Sequence, residues 1–337
     1  MQFKEDQLVL SRLMGHTSAS PLTSIAPAFI VSTAIFLIGC KTNDFGAVPV
    51  DTRANATYDA TLGHSQTQSR TVTSLAPTPF SFSNGTTKNS NAPPITASCA
   101  ILVDQNGRVL YEKNADARVP VASTQKLLLG IIIAQAGNLQ KPVTIAEEDT
   151  RAEPTKIGIK TGQVYTREEL LHTVLIRSSN DIARALARDH SGSVSNFAIA
   201  MNAKARQLGM YDSYFTNASG LPNPPGQYST ARDLTKLGAA ALSDAFVRNS
   251  IKSKSTLFRF ANGTTKTVYN TNQVLRIFPY CNGAKTGYTN AAGRCLVSSA
   301  TNGRKTVIAV ILGSKTPNVW YESEALLRHG LGLPQRP

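Results

Sequence analysis

The sequence is short of acidic residues, cysteines and histidines, and each shortage argues against a class of protein. Its 337 residues include 21 Asp and Glu against 35 Lys and Arg, which gives a formal net charge of +14. The basic residues form no cluster interleaved with aromatic side chains, and the four cysteines lack zinc-finger spacing. Nucleic-acid binding is therefore the weakest explanation of the charge. An anionic membrane, an acidic cell-wall polymer and a charge spread over solvated faces are the other readings.

Histidine and metal chemistry find little support in the sequence. Only His64, His172, His190 and His329 follow Cys40, and none lies in a nucleophile-elbow pattern, which argues against a Ser-His-Asp triad. We see no cluster of residues with metal-ligand spacing, so we predict neither a metal site nor a cofactor. Cys99, Cys281 and Cys295 are expected to be small buried hydrophobes, with a Cys281–Cys295 disulfide as an open alternative.

The N-terminal 40 residues are predicted to be an export leader. The apolar run from Ile25 to Gly39 has fifteen residues, fewer than the roughly 20 of a membrane span, and is typical of a signal-peptide core. Leu37-Ile38-Gly39-Cys40 resembles a bacterial lipobox, which predicts lipidation at Cys40 and a location in the cell envelope. The segment before the run is long and has balanced charge, so Met14 as the start, an ordinary signal peptide and an uncleaved anchor are the alternatives.

Residues 41–95 differ sharply in composition from the rest of the chain. They are rich in Thr, Ser, Asn, Ala and Pro, with few large apolar residues and no sustained periodicity. This composition is typical of a flexible stalk. With 41% hydrophobic and 17% charged residues, the chain as a whole has enough apolar surface for a globular core. We place one folded domain at residues 96–333.

The pattern of that domain predicts strands at both ends and helices between them. Strands are expected at 100–103 and 108–112, around the turn at 105–107, and at 295–300 and 306–312, around Asn302-Gly303. Helical patterns begin at Ser123, after Pro120, and recur at 170–175, 182–186, 197–208, 230–237 and 318–328. The predicted fold class is α/β, an antiparallel sheet flanked by helices with an inserted helical subdomain.

Three short motifs carry chemically competent side chains. Ser123 and Lys126 are three residues apart, so a helix places them on one face, where a buried amine can activate a hydroxyl. Ser178-Ser179-Asn180 interrupts two helical patterns, and Lys285-Thr286-Gly287 lies in a β-prone segment. Taken singly, these motifs are better explained as a helix cap with a solvated Lys, a second helix cap and a solvated strand entering a turn.

Taken together, the motifs resemble the penicillin-binding protein and serine β-lactamase superfamily. They occur in the right order, with separations of 55 and 107 residues. Their flanks, which include "NADARVPVASTQK", "LLHTVLIRSSNDIARALA" and "AKTGYTNAAGRCLVSSA", resemble the D-alanyl-D-alanine carboxypeptidase family (peptidase family S11). The resemblance covers roughly residues 97–333. It implies a β-lactamase/transpeptidase-like fold, peptidoglycan stem peptides as substrate and β-lactams as covalent inhibitors.

The resemblance also implies a role for each site residue. Ser123 would be the nucleophile, Lys126 the general base and Ser178 the group that passes a proton to the leaving nitrogen. Asn180 would orient Lys126, while Lys285, Thr286 and Gly287 would bind substrate around its terminal carboxylate. The oxyanion hole would be formed by the backbone N–H groups of Ser123 and Tyr288.

The sequence favours a peptidase over a β-lactamase. Class A β-lactamases use a Glu between the second and third motifs for deacylation, and no Glu occurs from Asp181 to Ala284. We therefore expect a penicillin-sensitive D-Ala-D-Ala carboxypeptidase. A D,D-endopeptidase is the alternative, and a serine β-lactamase or a non-catalytic wall-binding lipoprotein is weaker.

Two departures from the family pattern stand out. Many relatives carry a carboxylate-binding Arg shortly before the last helix, and here that place falls at Val319. Lys285, Thr286 or Lys315 are candidates to compensate for it. Many relatives also have a C-terminal β-rich domain and an amphipathic anchor, neither of which we expect in this chain. An N-terminal lipid would replace that anchor.

Overall fold

The structure is a computed structural model that describes residues 92–336. The predicted leader with Cys40, and nearly all of the predicted stalk, lie outside the described residues. Within 92–336, no helix is both long and apolar enough to cross a membrane.

The described chain begins with two strands of the main sheet and ends with its other three strands, followed by a helix. The strands are β1 (Cys99–Asp104), β2 (Val109–Lys113), β3 (Pro142–Thr144), β4 (Val164–Thr166), β5 (Ser255–Arg259), β6 (Thr265–Tyr269), β7 (Cys281–Thr289), β8 (Gly293–Thr301) and β9 (Thr306–Ser314). The helices are α1 (Lys126–Gln135), α2 (Glu147–Thr150), α3 (Arg167–Arg177), α4 (Asn180–Ser191), α5 (Val194–Gln207), α6 (Ala231–Ser243), α7 (Ala245–Lys252), α8 (Val274–Ile277) and α9 (Asn318–Leu331).

The main sheet has five strands in the order β2-β1-β9-β8-β7, and all its pairings are antiparallel. Strand β7, which carries Lys285 and Thr286, is therefore an edge strand. The predicted arrangement of terminal strands around a helical insert is confirmed. The small hairpins β3–β4 and β5–β6 were not predicted, because each of their strands buries only one residue fully and shows little apolar alternation.

Both faces of the sheet are covered, so its strands are apolar on both sides. Along β1, Cys99, Ile101 and Val103 belong to a core shared with the helical subdomain. The alternate residues Ala100 and Leu102 pack in a second core with α9. This alternation follows from the two-residue period of a strand.

Helix α1 lies at the centre of the larger core. Every residue from Lys126 to Ile133 is buried, as expected for a helix whose sequence from Leu127 to Ile133 is continuously apolar. The first residues differ from the prediction, since 122–125 form a 3₁₀ turn and the α-helix begins only at Lys126. Ala122 has φ +49°, outside the helical region, so a regular helix cannot extend back through it.

Candidate active site

The N-terminus of α1 places Ser123 and Lys126 in direct contact. Ser123 lies in the 3₁₀ turn and Lys126 is the first residue of the α-helix, so the two side chains are one turn apart. Lys126 Nζ is 2.7 Å from Ser123 Oγ. Lys126 is fully buried, whereas Ser123 is half-buried at the edge of the cleft. The pair therefore combines a desolvated amine with a hydroxyl that an incoming molecule can reach.

Lys126 Nζ has two further neighbours, and both are carbonyl oxygens. It lies 2.7 Å from Asn180 Oδ1 and 2.7 Å from the main-chain oxygen of Ser219. A carbonyl oxygen can only accept, so it must receive a hydrogen from the amine. A neutral amine has two hydrogens and one lone pair. When the two carbonyls take the hydrogens, the lone pair is left facing Ser123 Oγ, which is the arrangement a general base needs.

The surroundings of Lys126 favour its neutral form. Burial lowers its pKa well below the usual value for a lysine, and the positive charge of Lys285 lowers it further. The carboxylate of Asp181 acts in the opposite direction but has a smaller effect.

The junction between α3 and α4 supplies Ser178 and Asn180. Ser178 ends α3 in the left-handed conformation, with φ +68°, and is buried. Asn180 begins α4, and its backbone N–H donates to the carbonyl of Thr155 at 2.7 Å. Its side-chain Nδ2 donates to the carbonyl of Glu153 at 3.4 Å. These bonds fix the amide so that Oδ1 is directed at Lys126.

Asp181 holds the segment that lines this junction. Its buried carboxylate accepts hydrogen bonds from the backbone N–H groups of Ile157, Gly158 and Ile182. Burial raises its pKa, against the opposing effect of these N–H donors. Its role in the structure is to tie the 153–159 segment to α4.

Strand β7 forms the opposite wall of the cleft. Lys285 is buried, its Nζ donates to the carbonyl of Thr286 at 3.0 Å, and burial lowers its pKa to about 7. A Cβ at Gly287 would lie 2.9 Å from the backbone nitrogen of Ser123, which shows how closely the strand passes the 3₁₀ turn. Tyr288 follows on the same strand and is half exposed. The backbone N–H groups of Ser123 and Tyr288 thus belong to neighbouring segments.

The segment around Ser219, which contacts both side chains of the pair, was not predicted from the sequence. The carbonyl oxygen of Ser219 accepts from Lys126 Nζ at 2.7 Å and lies 3.0 Å from Ser123 Oγ, whose single hydrogen it accepts only when that hydrogen is not donated to the lone pair of Lys126. Asn217 shapes this segment, because its Oδ1 accepts from Ser219 N at 2.9 Å, Ser219 Oγ at 3.0 Å and Gly220 N at 2.8 Å. Gly220, with φ +85°, packs directly on the backbone of Ala122. The only signal in the sequence was an Asn-Ala-Ser-Gly stretch typical of a turn.

Two other expectations are resolved by the structure. Cys99, Cys281 and Cys295 are free thiols, so the alternative of a Cys281–Cys295 disulfide is wrong. In the β7–β8 register Cys295 pairs with Gly287 and Cys281 with Ala300, which places the two cysteines well apart along the ladder. Val319 is buried in the core between the sheet and α9, so this position presents no polar group to the cleft.

Comparison with known proteins agrees with this geometry. Residues 86–316 match the family described as D-alanyl-D-alanine carboxypeptidase, Peptidase_S11. D-alanyl-D-alanine carboxypeptidase DacB2 of Mycobacterium tuberculosis is 35% identical over 233 residues, which cover 68% of this chain and 79% of that protein. D-alanyl-D-alanine carboxypeptidase DacF of Bacillus subtilis is 31% identical over 72% of this chain, and the match spans only 63% of DacF.

A solved structure shows the same fold. The crystal structure of the Streptomyces K15 DD-transpeptidase superposes with a TM-score of 0.68 at 29% identity, covering 72% of this chain and 99% of that one. The predicted fold class, an antiparallel sheet with helices in the transpeptidase-like arrangement, is therefore confirmed. The chain belongs to the D-alanyl-D-alanine carboxypeptidase family, peptidase family S11.

Proposed function

We propose that the protein is a serine D-Ala-D-Ala carboxypeptidase that removes the terminal D-Ala from peptidoglycan stem peptides. The observation that carries the proposal is the contact of 2.7 Å between Lys126 Nζ and Ser123 Oγ in a buried site. Membership of the S11 family supplies the substrate class, since the matched relatives bear this activity in their names.

Acylation follows from the arrangement of hydrogen bonds. Ser123 Oγ attacks the carbonyl carbon of the penultimate D-Ala while its proton passes to the lone pair of neutral Lys126. The oxyanion that forms is stabilised by the backbone N–H groups of Ser123 and Tyr288. Ser178 relays this proton from Lys126 to the leaving nitrogen, the C–N bond breaks and D-Ala departs. Water then adds to the ester carbonyl: its hydroxyl group stays on the new carboxyl group of the shortened peptide, its other proton passes to Ser123 Oγ, and the ester bond breaks.

Substrate binding uses the edge of the sheet. Lys285 and Thr286 bind the terminal carboxylate of the substrate. Thr286 lies two residues along β7 from Tyr288, whose backbone N–H binds the substrate carbonyl that reacts. Gly287 has no side chain, so the substrate backbone and the nucleophile turn can approach the strand closely. Asn180 Oδ1 holds Lys126, and its amide contacts the substrate.

The acidic residues of the helical subdomain support a peptidase rather than a β-lactamase. Each one between the second and third motifs is engaged in structural contacts: Asp181 with backbone N–H groups, Asp189 with Lys141 and Arg167, Asp212 with Arg118, Asp233 with Lys236, and Asp244 with the N-terminus of α7. None of these five carboxylates is placed to direct water onto an ester at Ser123. Penicillin is therefore expected to acylate Ser123 and to be released slowly.

Fluorescent penicillin and D-Ala release test the proposal together. We expect labelling of the wild type and of Ser195→Ala, which changes an exposed serine of α5, and none of Ser123→Ala. Equal labelling of the wild type and Ser123→Ala, or labelling of neither, would refute an acylating Ser123. D-Ala release by the wild type would exclude a non-catalytic wall-binding protein. Products from a pentapeptide monomer and a cross-linked dimer distinguish a carboxypeptidase from a D,D-endopeptidase.

The activity places the protein in the cell envelope, where its substrate lies. We further propose that Cys40 is lipidated and anchors the protein to a membrane, on the support of the lipobox-like sequence before it. Mass spectrometry of the mature N-terminus tests this proposal. An unmodified Cys40, or cleavage at another position, would contradict it.

A further inference from the structure

A basic pocket lies beside the cleft and has no part in the mechanism above. Its volume is about 510 Å³, within the range of small-molecule sites. Three cationic side chains line it: Arg177, Lys254 and Arg276. The other described residues of its wall are uncharged, including Tyr269 and Thr271, and no Asp or Glu is among them.

The three cations have no carboxylate partner among the described residues. Within residues 92–336, eight arginines form ion pairs: Arg108, Arg118, Arg151, Arg167, Arg188, Arg232, Arg328 and Arg336. No ion pair of the described residues involves Arg177, Lys254 or Arg276. Arg276 instead lies over the ring of Tyr269, 5.5 Å from its centre. Like charges gathered in one concavity repel each other, so this arrangement favours an anionic occupant.

Two contacts connect the pocket to the catalytic elements. Thr271, in the pocket wall, shares a hydrogen bond of 2.6 Å with Thr286 through their Oγ1 atoms. The backbone N–H of Thr271 donates to the carbonyl of Ile176, at the end of α3. Arg177 directly precedes Ser178. The wall of the pocket therefore adjoins the hydroxyl of Thr286 and the end of α3.

The direction along β7 identifies the part of the substrate that lies nearest the pocket. The reacting carbonyl is assigned to Tyr288, and the carboxylate of the departing group to Thr286, two residues back along the strand. The pocket adjoins Thr286 through Thr271, so it lies next to the departing group. This assignment rests on the proposed function.

We propose that the pocket is the subsite for the departing group and that Arg177, Lys254 and Arg276 attract its carboxylate. These residues supply the positive charge that an Arg at the place of Val319 would supply in many relatives, since Val319 lies in the first turn of α9 and its side chain is buried in the core. In a monomeric stem the carboxylate is that of the terminal D-Ala. In a cross-linked substrate it belongs to the acceptor stem.

The test compares substrates with an inhibitor that has no departing group. Lys254→Gln/Arg276→Gln is assayed against the wild type, with Arg304→Gln and Lys266→Gln as controls, because both control residues are exposed and lie outside the pocket wall. One ligand is a peptide that ends in D-Ala-D-Ala. The other is an acyl-D-Ala analogue whose carboxyl carbon is replaced by boronic acid, which reaches Ser123 but carries no departing carboxylate.

We expect kcat/KM of the double variant to fall about three- to tenfold on the peptide, as for two partly screened charges, chiefly through KM. The Ki of the boronic acid should be unchanged, and both controls should match the wild type. Added NaCl should lower kcat/KM more for the wild type than for the double variant. A larger loss on a cross-linked dimer than on the monomer would assign the pocket chiefly to the acceptor stem.

Two results would overturn the proposal. One is an unchanged kcat/KM for the double variant on both monomer and dimer. The other is an equal loss of peptide turnover and boronic acid affinity, which would show a general distortion of the site. Failure of the proposed function has a different signature, because the wild type would then release no D-Ala from either substrate.

Discussion

Replacing Asn217 with Ala should impair catalysis although this side chain does not touch Ser123 or Lys126. Its Oδ1 accepts three hydrogen bonds from Ser219 and Gly220, and its Nδ2 donates to the carbonyl of Leu221 at 2.8 Å. The variant leaves the buried N–H groups of Ser219 and Gly220 without an acceptor. At about 1–3 kcal/mol for each of these two groups, the free energy of unfolding should fall by about 2–6 kcal/mol.

The catalytic effect follows from the carbonyl of Ser219. This oxygen takes one hydrogen of Lys126 Nζ at 2.7 Å, and a shift of the segment misdirects the lone pair of the amine. A displacement near 1 Å at a reacting group costs about a hundredfold in rate, so we expect the acylation rate by penicillin to fall by about ten- to a hundredfold. The assay is stopped-flow acylation under conditions where circular dichroism shows the variant to be folded.

The control for this prediction is Asn223→Ala, which changes an exposed side chain of the same loop. It should acylate as fast as the wild type. The reasoning would be refuted if Asn217→Ala lost stability and yet acylated at the wild-type rate. In that case the carbonyl of Ser219 would have no influence on the base.

Three further predictions follow from the same structure. Burial and the charge of Lys285 lower the pKa of Lys126, and burial lowers the pKa of Lys285 to about 7. The value of kcat/KM should therefore rise with pH as Lys126 loses its proton and fall at higher pH as Lys285 loses its proton. Lys285→Arg should shift this fall in kcat/KM to higher pH, and an unchanged profile would assign the fall to another group. Gly287→Ala places a methyl group 2.9 Å from the nitrogen of Ser123, so penicillin acylation should slow by at least about tenfold, and an unchanged rate would contradict the close packing. Burial raises the pKa of Glu322, but the hydrogen bonds from Ser314, Thr96 and Ala97 lower it by more. The carboxylate of Glu322 therefore stabilises the fold above the pKa of the unfolded chain, and this stabilisation is lost as pH falls through the pKa of the folded protein. Glu322→Gln should lower the free energy of unfolding by about 1–3 kcal/mol at pH 7, and urea titrations at pH 7 and pH 3 should show a smaller difference in acid.

Much of the fold was predictable because it depends on the burial of apolar side chains. The continuous apolar run from Leu127 to Ile133 predicts a helix buried on nearly all sides, and the apolar segments around Asn302-Gly303 predict the β8–β9 hairpin. The hairpins β3–β4 and β5–β6 were missed, because they lie at the surface and their strands carry little pattern.

The candidate active site was likewise predictable only in part. The sequence indicated Ser123, Lys126 and Asn180, whose side chains meet in the structure. It gave no indication of Ser219, because a main-chain carbonyl acts there and any residue type has one. The left-handed conformations of Ala122 and Ser178 were also unpredictable, since Gly or Asn is the usual signal for them.

The backbone of the nucleophile turn is held by two glycines from different parts of the chain. A Cβ at Gly220 would lie 2.2 Å from the oxygen of Ala122, and one at Gly287 would lie 2.9 Å from the nitrogen of Ser123. The helical subdomain, through Gly220, and the sheet, through Gly287, thus pack against the same peptide unit, Ala122–Ser123, which restricts their relative movement there. The backbone at the centre of the cleft is consequently in place before a ligand binds. The protein must therefore distinguish one ligand from another through contacts with the outer walls of the cleft.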